Sequence, residues 1–230
     1  MKIKSHIPNS VTLLNLLSGI IGIIWVLDGY IISGAWFILI SAFLDFIDGF
    51  AARLLKVQGE LGKQLDSLAD MVSFGVLPGM ILFAMAKTNS QLEWLPYLTL
   101  ILPLFSALRL AKFNLDTRQT DRFIGVPTPA AALFVSTLLH FAIQWPKIGT
   151  VITSPFFLIA IAFTLSILLI SEIPLIALKF KSFAFKKNVF RYALVGLSLL
   201  IFIGFGLAGI PLIILSYIGL SVVENAIGSE

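Results

Sequence analysis

Long apolar runs follow one another along almost the whole chain, and this narrows the fold more than any other feature. They begin near Val11 and recur as far as Val222, separated by short polar or basic breaks. Only helices and closed barrels satisfy every backbone group inside a bilayer. A barrel would alternate apolar and polar residues, and these runs do not. The chain is 58% hydrophobic and 12% charged, against the roughly 25% charged residues of a soluble domain. The sequence therefore predicts an all-α polytopic membrane protein. With no cysteine, disulfide and zinc-thiolate frameworks are excluded.

About eight spans are expected. Residues 1–10 form a basic N-terminal segment, broken by Pro8, that would lie at the interface with Lys2 and Lys4 near headgroups. No cleavable signal is evident before the first span. Residues 11–178 hold six spans, near 11–27, 33–57, 61–86, 94–110, 129–143 and 151–170. Pro78 and Gly79 should kink the third. Residues 179–230 hold a basic linker and a terminal hairpin, with spans near 192–207 and 210–222 turning at Gly209 and Pro211.

Charge asymmetry gives the orientation. With the N-terminus inside and loops alternating, 14 of the 16 Lys and Arg residues fall inside, leaving only Lys87 and Lys147 outside. The excess of basic residues thus reports membrane topology and not a nucleic-acid surface. An integral cell-membrane protein is expected, with its 45–70 stretch facing the cytoplasm.

That stretch carries Asp45, Asp48, Asp66 and Asp70. Carboxylates at the edge of hydrocarbon-length segments are costly and mark functional sites by default. Asp45 and Asp48 are three apart and Asp66 and Asp70 four apart, so each pair shares one helical face. Two such faces joined by a short turn bring four carboxylates around one point, where they need cations or a proton to coexist. Oxygen clusters of this kind suit hard divalent ions. Gly49 and Ala52 lie on the side of Asp45 and Asp48, and Gly62 lies four before Asp66; small residues there let a base or phosphate approach the backbone. Arg53 could pair with a carboxylate or a phosphate. From spacing alone, metal-dependent phosphoryl or nucleotidyl chemistry competes with a proton or cation transport site and with a structural polar network.

The full pattern is more specific. Asp45, Asp48, Gly49, Ala52, Arg53, Gly62, Asp66 and Asp70 fit D-x2-D-G-x2-A-R-x8-G-x3-D-x3-D without exception. This resembles the signature of the CDP-alcohol phosphatidyltransferase family. The resemblance implies cation-dependent attack of an alcohol on a CDP-linked lipid, with release of CMP. It implies that Asp45, Asp48 and Asp66 bind a pair of Mg2+ or Mn2+ ions, and that Asp70 contacts the same site and is the catalytic base. A homodimer is also implied. Four further stretches, residues 7–19, 65–79, 107–114 and 123–132, resemble the serine-using branch of that family in its membrane-embedded bacterial and archaeal form. CDP-diacylglycerol as donor and L-serine as acceptor are therefore expected. Glycerol 3-phosphate or an inositol phosphate is the alternative acceptor, and cation or proton transport the more distant alternative.

On this reading Asn9 and Thr12, at the start of span one, hydrogen-bond the CDP-lipid together with Asp45, Gly49, Ala52, Arg53, Gly62 and Asp66; a back-bond within its own helix is the ordinary role for Thr12. Arg109, Lys112 and Asn114, where span four leaves the membrane, could take the serine carboxylate or a phosphate. Gly125, Pro127 and Pro129 suggest a fixed loop near the site. His140 is expected to pack, not to ligate. No catalytic role is assigned to the terminal hairpin.

Overall fold

The computed structural model describes residues 6–57, 59–116, 123–177 and 188–227. They form a bundle of ten helices: α1 (His6–Leu27), α2 (Ile31–Leu54), α3 (Glu60–Asp70), α4 (Leu77–Asn89), α5 (Ile101–Leu115), α6 (Thr128–Gln144), α7 (Pro146–Ile152), α8 (Pro155–Ile170), α9 (Val189–Phe205) and α10 (Ile210–Ile227). Two short strands, β1 (Phe123–Ile124) and β2 (Pro174–Leu175), pair antiparallel. Five helical stretches are long and apolar enough to cross a membrane, or up to six if the bent pair α7 and α8 is one span. The last of these, Val189–Ile227, is folded back on itself at the 3-10 turn Gly206–Gly209, where Gly206 has φ +58°. The protein is an all-α, multi-pass membrane protein, and the exposed Phe43, Phe46, Phe50 and Leu54 on α2 give it a lipid-facing surface.

α1 and α2 make a tight hairpin. Gly29, at φ +89°, turns the chain, and small residues let the helices close: a Cβ on Gly22 would meet Phe37 and Leu77, and one on Gly34 would meet Val26. Residues 6–10, expected in an interfacial segment, are the first turns of α1. Pro8 does not break them, because the first-turn N–H groups of a helix have no intrahelical partner to lose. Residues 1–5, with Lys2 and Lys4, lie outside the described residues, as do Arg118, Arg122 and the lysines of 179–187.

The rod from α3 to α4 is the most buried of the long spans. It holds Phe74, Leu77, Ile81 and Leu82 in a core shared with Ile38, Leu102, Leu158 and Leu169. The kink expected at Pro78 appears instead as a π-helical segment, Met71–Val76, joining α3 to α4. Pro78 has no N–H to give its own helix, and the wider turn absorbs the mismatch, with Leu77 N–H bonding the Val72 carbonyl five residues back. The expected sixth span bends by 69° between α7 and α8. His140 packs as expected: its Nδ1 lies 3.3 Å from the Ser136 carbonyl and its ring meets Trp36 edge-on.

Candidate active site

α2 ends as α3 begins, and both lie against the start of α1. This brings the aspartates together from two helices. One oxygen from each of Asp45, Asp48 and Asp66 lies within 4.8 Å of the others. Asp70, one turn further along α3, is 9% exposed and shares a cavity with Asp45 and Asp66.

Two cavities meet at these carboxylates. The larger, about 460 Å3, is lined by Asn9 and Thr12 from α1, Asp48, Gly49 and Ala52 from α2, and Gly62, Lys63 and Asp66 from α3. The smaller, about 280 Å3, is lined by Asp45, Asp66, Asp70, Arg109, Phe113, Pro127, Thr128 and Pro129. Asp66 belongs to both. Small side chains open the first cavity as the spacing suggested. A Cβ on Gly62 would stand 3.3 Å from the Asn9 Oδ1, and one on Gly49 would meet only the Arg53 Nη2 at 3.9 Å.

The buried polar atoms point to a ligand. Among the described residues, the buried side-chain oxygens and nitrogens without a hydrogen-bond partner belong to Asn15, Asp48, Asp66 and Asp70 alone. Buried polar groups are nearly always paired, so a cluster of exceptions calls for an ion, water or substrate. The donor set is carboxylate oxygen only and close-spaced, with a buried unpartnered oxygen on both Asp48 and Asp66, and it fits one or two hard divalent cations.

The remaining expected residues divide. Thr12 donates to the Pro8 carbonyl at 3.0 Å, the ordinary back-bond, while its side chain lines the larger cavity. Arg53 is exposed, and its Nε donates to the Gly49 carbonyl at 2.9 Å at the cavity edge. Arg109 is 5% exposed, stacks 5.2 Å over the Phe113 ring and donates from Nε to the Val126 carbonyl at 3.4 Å. It also lines a third cavity of about 280 Å3 with Lys112, Asp116, Ser171 and Glu172. Asn114 lines none of these cavities. It clasps α5 to α3: its Nδ2 donates to Ser67 Oγ at 2.8 Å and its carbonyl accepts from Lys63 Nζ at 2.9 Å.

Asn15 is the residue the sequence reading passed over. It is fully buried, its side chain lies beside the Asp70 carboxylate, and its carbonyl accepts from Ser73 Oγ at 3.0 Å and Ser41 Oγ at 3.4 Å. The π-helical segment supplies Ser73, and a Cβ on Gly19 would collide with it. The available signal was periodicity. Thr12, Asn15, Ser18, Gly19 and Gly22 form one polar and small stripe on α1, on the face that carries its buried residues.

Fold and site define a polytopic membrane protein with a buried carboxylate centre between two cavities. Residues 5–168 match the family model for CDP-alcohol phosphatidyltransferase. A Bacillus subtilis protein named CDP-diacylglycerol--serine O-phosphatidyltransferase is 38% identical over 133 residues, which is 56% of this chain and 72% of that protein. A Mycobacterium leprae protein of the same name is 35% identical over 176 residues, 74% of this chain and 57% of that one. An archaetidylserine synthase of Methanothermobacter thermautotrophicus is 33% identical over 141 residues, 59% of each chain. The chain thus spans most of the first relative and well under two thirds of the other two. It belongs to the CDP-alcohol phosphatidyltransferase family.

Proposed function

We propose that this protein is a phosphatidylserine synthase, transferring the phosphatidyl group of CDP-diacylglycerol to the hydroxyl of L-serine with release of CMP. The observation that carries the reading is the position of Asp66. It belongs to a cavity edged by small residues and to a second one holding Asp70 and a buried arginine, so donor and acceptor would meet at the carboxylates. The names of the relatives supply the donor and the amino-acid acceptor.

Asn9, Thr12, Gly49, Ala52 and Gly62 form the wall for the cytidine diphosphate, and Arg53 at its edge pairs with a phosphate. Asp45, Asp48 and Asp66, with Asp70 beside them, would hold Mg2+ or Mn2+, whose charge when bound would offset that of the diphosphate and of the departing CMP. Arg109 or Lys112 takes the serine carboxylate, and Asn114 holds α5 in place for this. Asp70 accepts the proton of the serine hydroxyl as its oxygen attacks the phosphatidyl phosphorus. A new P–O bond forms and the bond to CMP breaks. Holding both substrates in line is the main contribution of the remaining residues.

Residues 11–178 form the catalytic core on this reading, and the site lies on the cytoplasmic side of a cell membrane, an orientation that the inside excess of Lys and Arg supports. The resemblance to the family supports a homodimer as the working form. The test is CMP release by the purified protein with CDP-diacylglycerol and Mg2+ or Mn2+, comparing L-serine, glycerol 3-phosphate, inositol 1-phosphate and no acceptor. Release with serine alone, with a serine-containing lipid as product, is expected. Release only with another alcohol would keep the family and discard serine.

A further inference from the structure

The terminal hairpin lies beyond residue 168, where the family match ends, yet it is tied to the site's wall. After α8 the chain runs extended through residues 173–177, and Leu175, Ile176 and Ala177 are buried. Extended backbone in apolar surroundings must find partners for its N–H and C=O groups. One edge finds them in β1, and Gly125 N–H donates to the Ile173 carbonyl at 2.9 Å. The other edge finds them in side chains of the hairpin. Ile176 N–H donates to Ser221 Oγ at 3.1 Å, and Tyr217 OH donates to the Ile176 carbonyl at 3.1 Å. Asn225 Nδ2 donates to the Pro174 carbonyl at 2.6 Å, and Arg191 Nε to the Ala177 carbonyl at 2.9 Å. Tyr217, Ser221 and Asn225 are spaced by four, one face of α10 standing where a further strand would stand.

What this face holds leads to the acceptor side. Gly125, at φ +73°, sits where a Cβ would meet the Ser171 and Leu169 carbonyls, so β1 has little room to shift. Val126 N–H is bound to the Leu168 carbonyl at 3.0 Å, and the Val126 carbonyl receives Arg109. Residues 127–129 then line the cavity of Asp70. None of these residues lines the larger cavity, which is built by the segment 8–66.

We infer that the α9–α10 hairpin is a brace for the acceptor wall: Tyr217, Ser221 and Asn225 are positioning residues that hold residues 173–177, and through β1 they set Arg109 and residues 127–129 against the carboxylates. The inference rests on the acceptor reading of Arg109. It predicts a split in the kinetics. Ser221→Ala and Tyr217→Phe each raise the KM for the acceptor by about tenfold, the size expected for one lost buried hydrogen bond acting on binding. The KM for CDP-diacylglycerol stays unchanged, and Ser221→Thr, which keeps the hydroxyl, restores the acceptor KM.

The experiment measures both KM values for full-length wild type, the three variants and the Tyr217→Phe/Ser221→Ala double variant, with thermal melting in the same detergent. Tyr217→Phe keeps the ring and is read first. A raised acceptor KM with an unchanged donor KM in a variant that melts near wild type supports the brace. Both KM values unchanged, both shifted equally, or activity lost only in step with melting overturns it. If wild type uses an alcohol other than serine, the acceptor assignment fails on its own, and the same split is measured with that alcohol.

Discussion

Two regions of the protein bury polar side chains in apolar surroundings, and they treat them in opposite ways. Around α10, Tyr217, Ser221 and Asn225 are all committed to backbone groups of residues 174 and 176. Around α1 to α3, Asn15, Asp48, Asp66 and Asp70 each keep at least one buried atom with no partner. An unmade buried hydrogen bond costs about 1–3 kcal/mol, so a chain keeps such atoms only where something other than itself completes them. The satisfied cluster is structural support. On the proposed reading, the unsatisfied cluster is the place where cation and substrates complete the protein.

The comparison can be broken in several places. The largest effect should come from the carboxylates: chelation of divalent cations, or Asp66→Asn, should lower CMP release by about 10³-fold or more, because both cavities lose their shared charge centre. Asp70→Asn should retain CDP-lipid binding and lose transfer by about 10²- to 10³-fold, measured as single-turnover rate against donor Kd; near-normal turnover would remove Asp70 as the base. Gly62→Ala should raise donor KM by about tenfold while acceptor KM holds, since its Cβ enters the larger cavity against Asn9. Asn15→Leu sharpens the contrast most. It replaces the amide beside the Asp70 carboxylate by two methyl groups of the same branched shape, so turnover should fall by about tenfold while the protein still folds, read as a cooperative melt. Ser221→Ala should act on stability, costing about 1 kcal/mol through the Ile176 N–H it leaves alone.

The carboxylate cluster was legible because its information is local. Spacings of three and four place side chains on one helical face whatever the tertiary structure, so Asp45, Asp48, Asp66 and Asp70 could be grouped before any fold was known. The same held for Gly62 and for the terminal hairpin at Gly209. What was not legible depends on distant partners. The hydrogen bonds of Asn114 to Ser67 and Lys63 exist only because α5 meets α3, which no local pattern shows. Asn15 was visible as a polar residue, but its neighbour Asp70 is 55 positions away. Pro78 announced an irregularity without showing that a π-helical segment would absorb it. The pairing of Phe123–Ile124 with Pro174–Leu175 joins two-residue strands from separate loops, too short for any alternation to register.

The central claim is that the clustered carboxylates hold a divalent cation, and Mn2+ binding followed by electron paramagnetic resonance tests it most directly, without substrate turnover. Wild type in detergent should bind Mn2+, Asp45→Asn and Asp66→Asn should lose that binding, and Ser221→Ala should keep it. Wild type that binds no Mn2+ even with CDP-diacylglycerol present, or binding that survives both aspartate substitutions, would contradict the account.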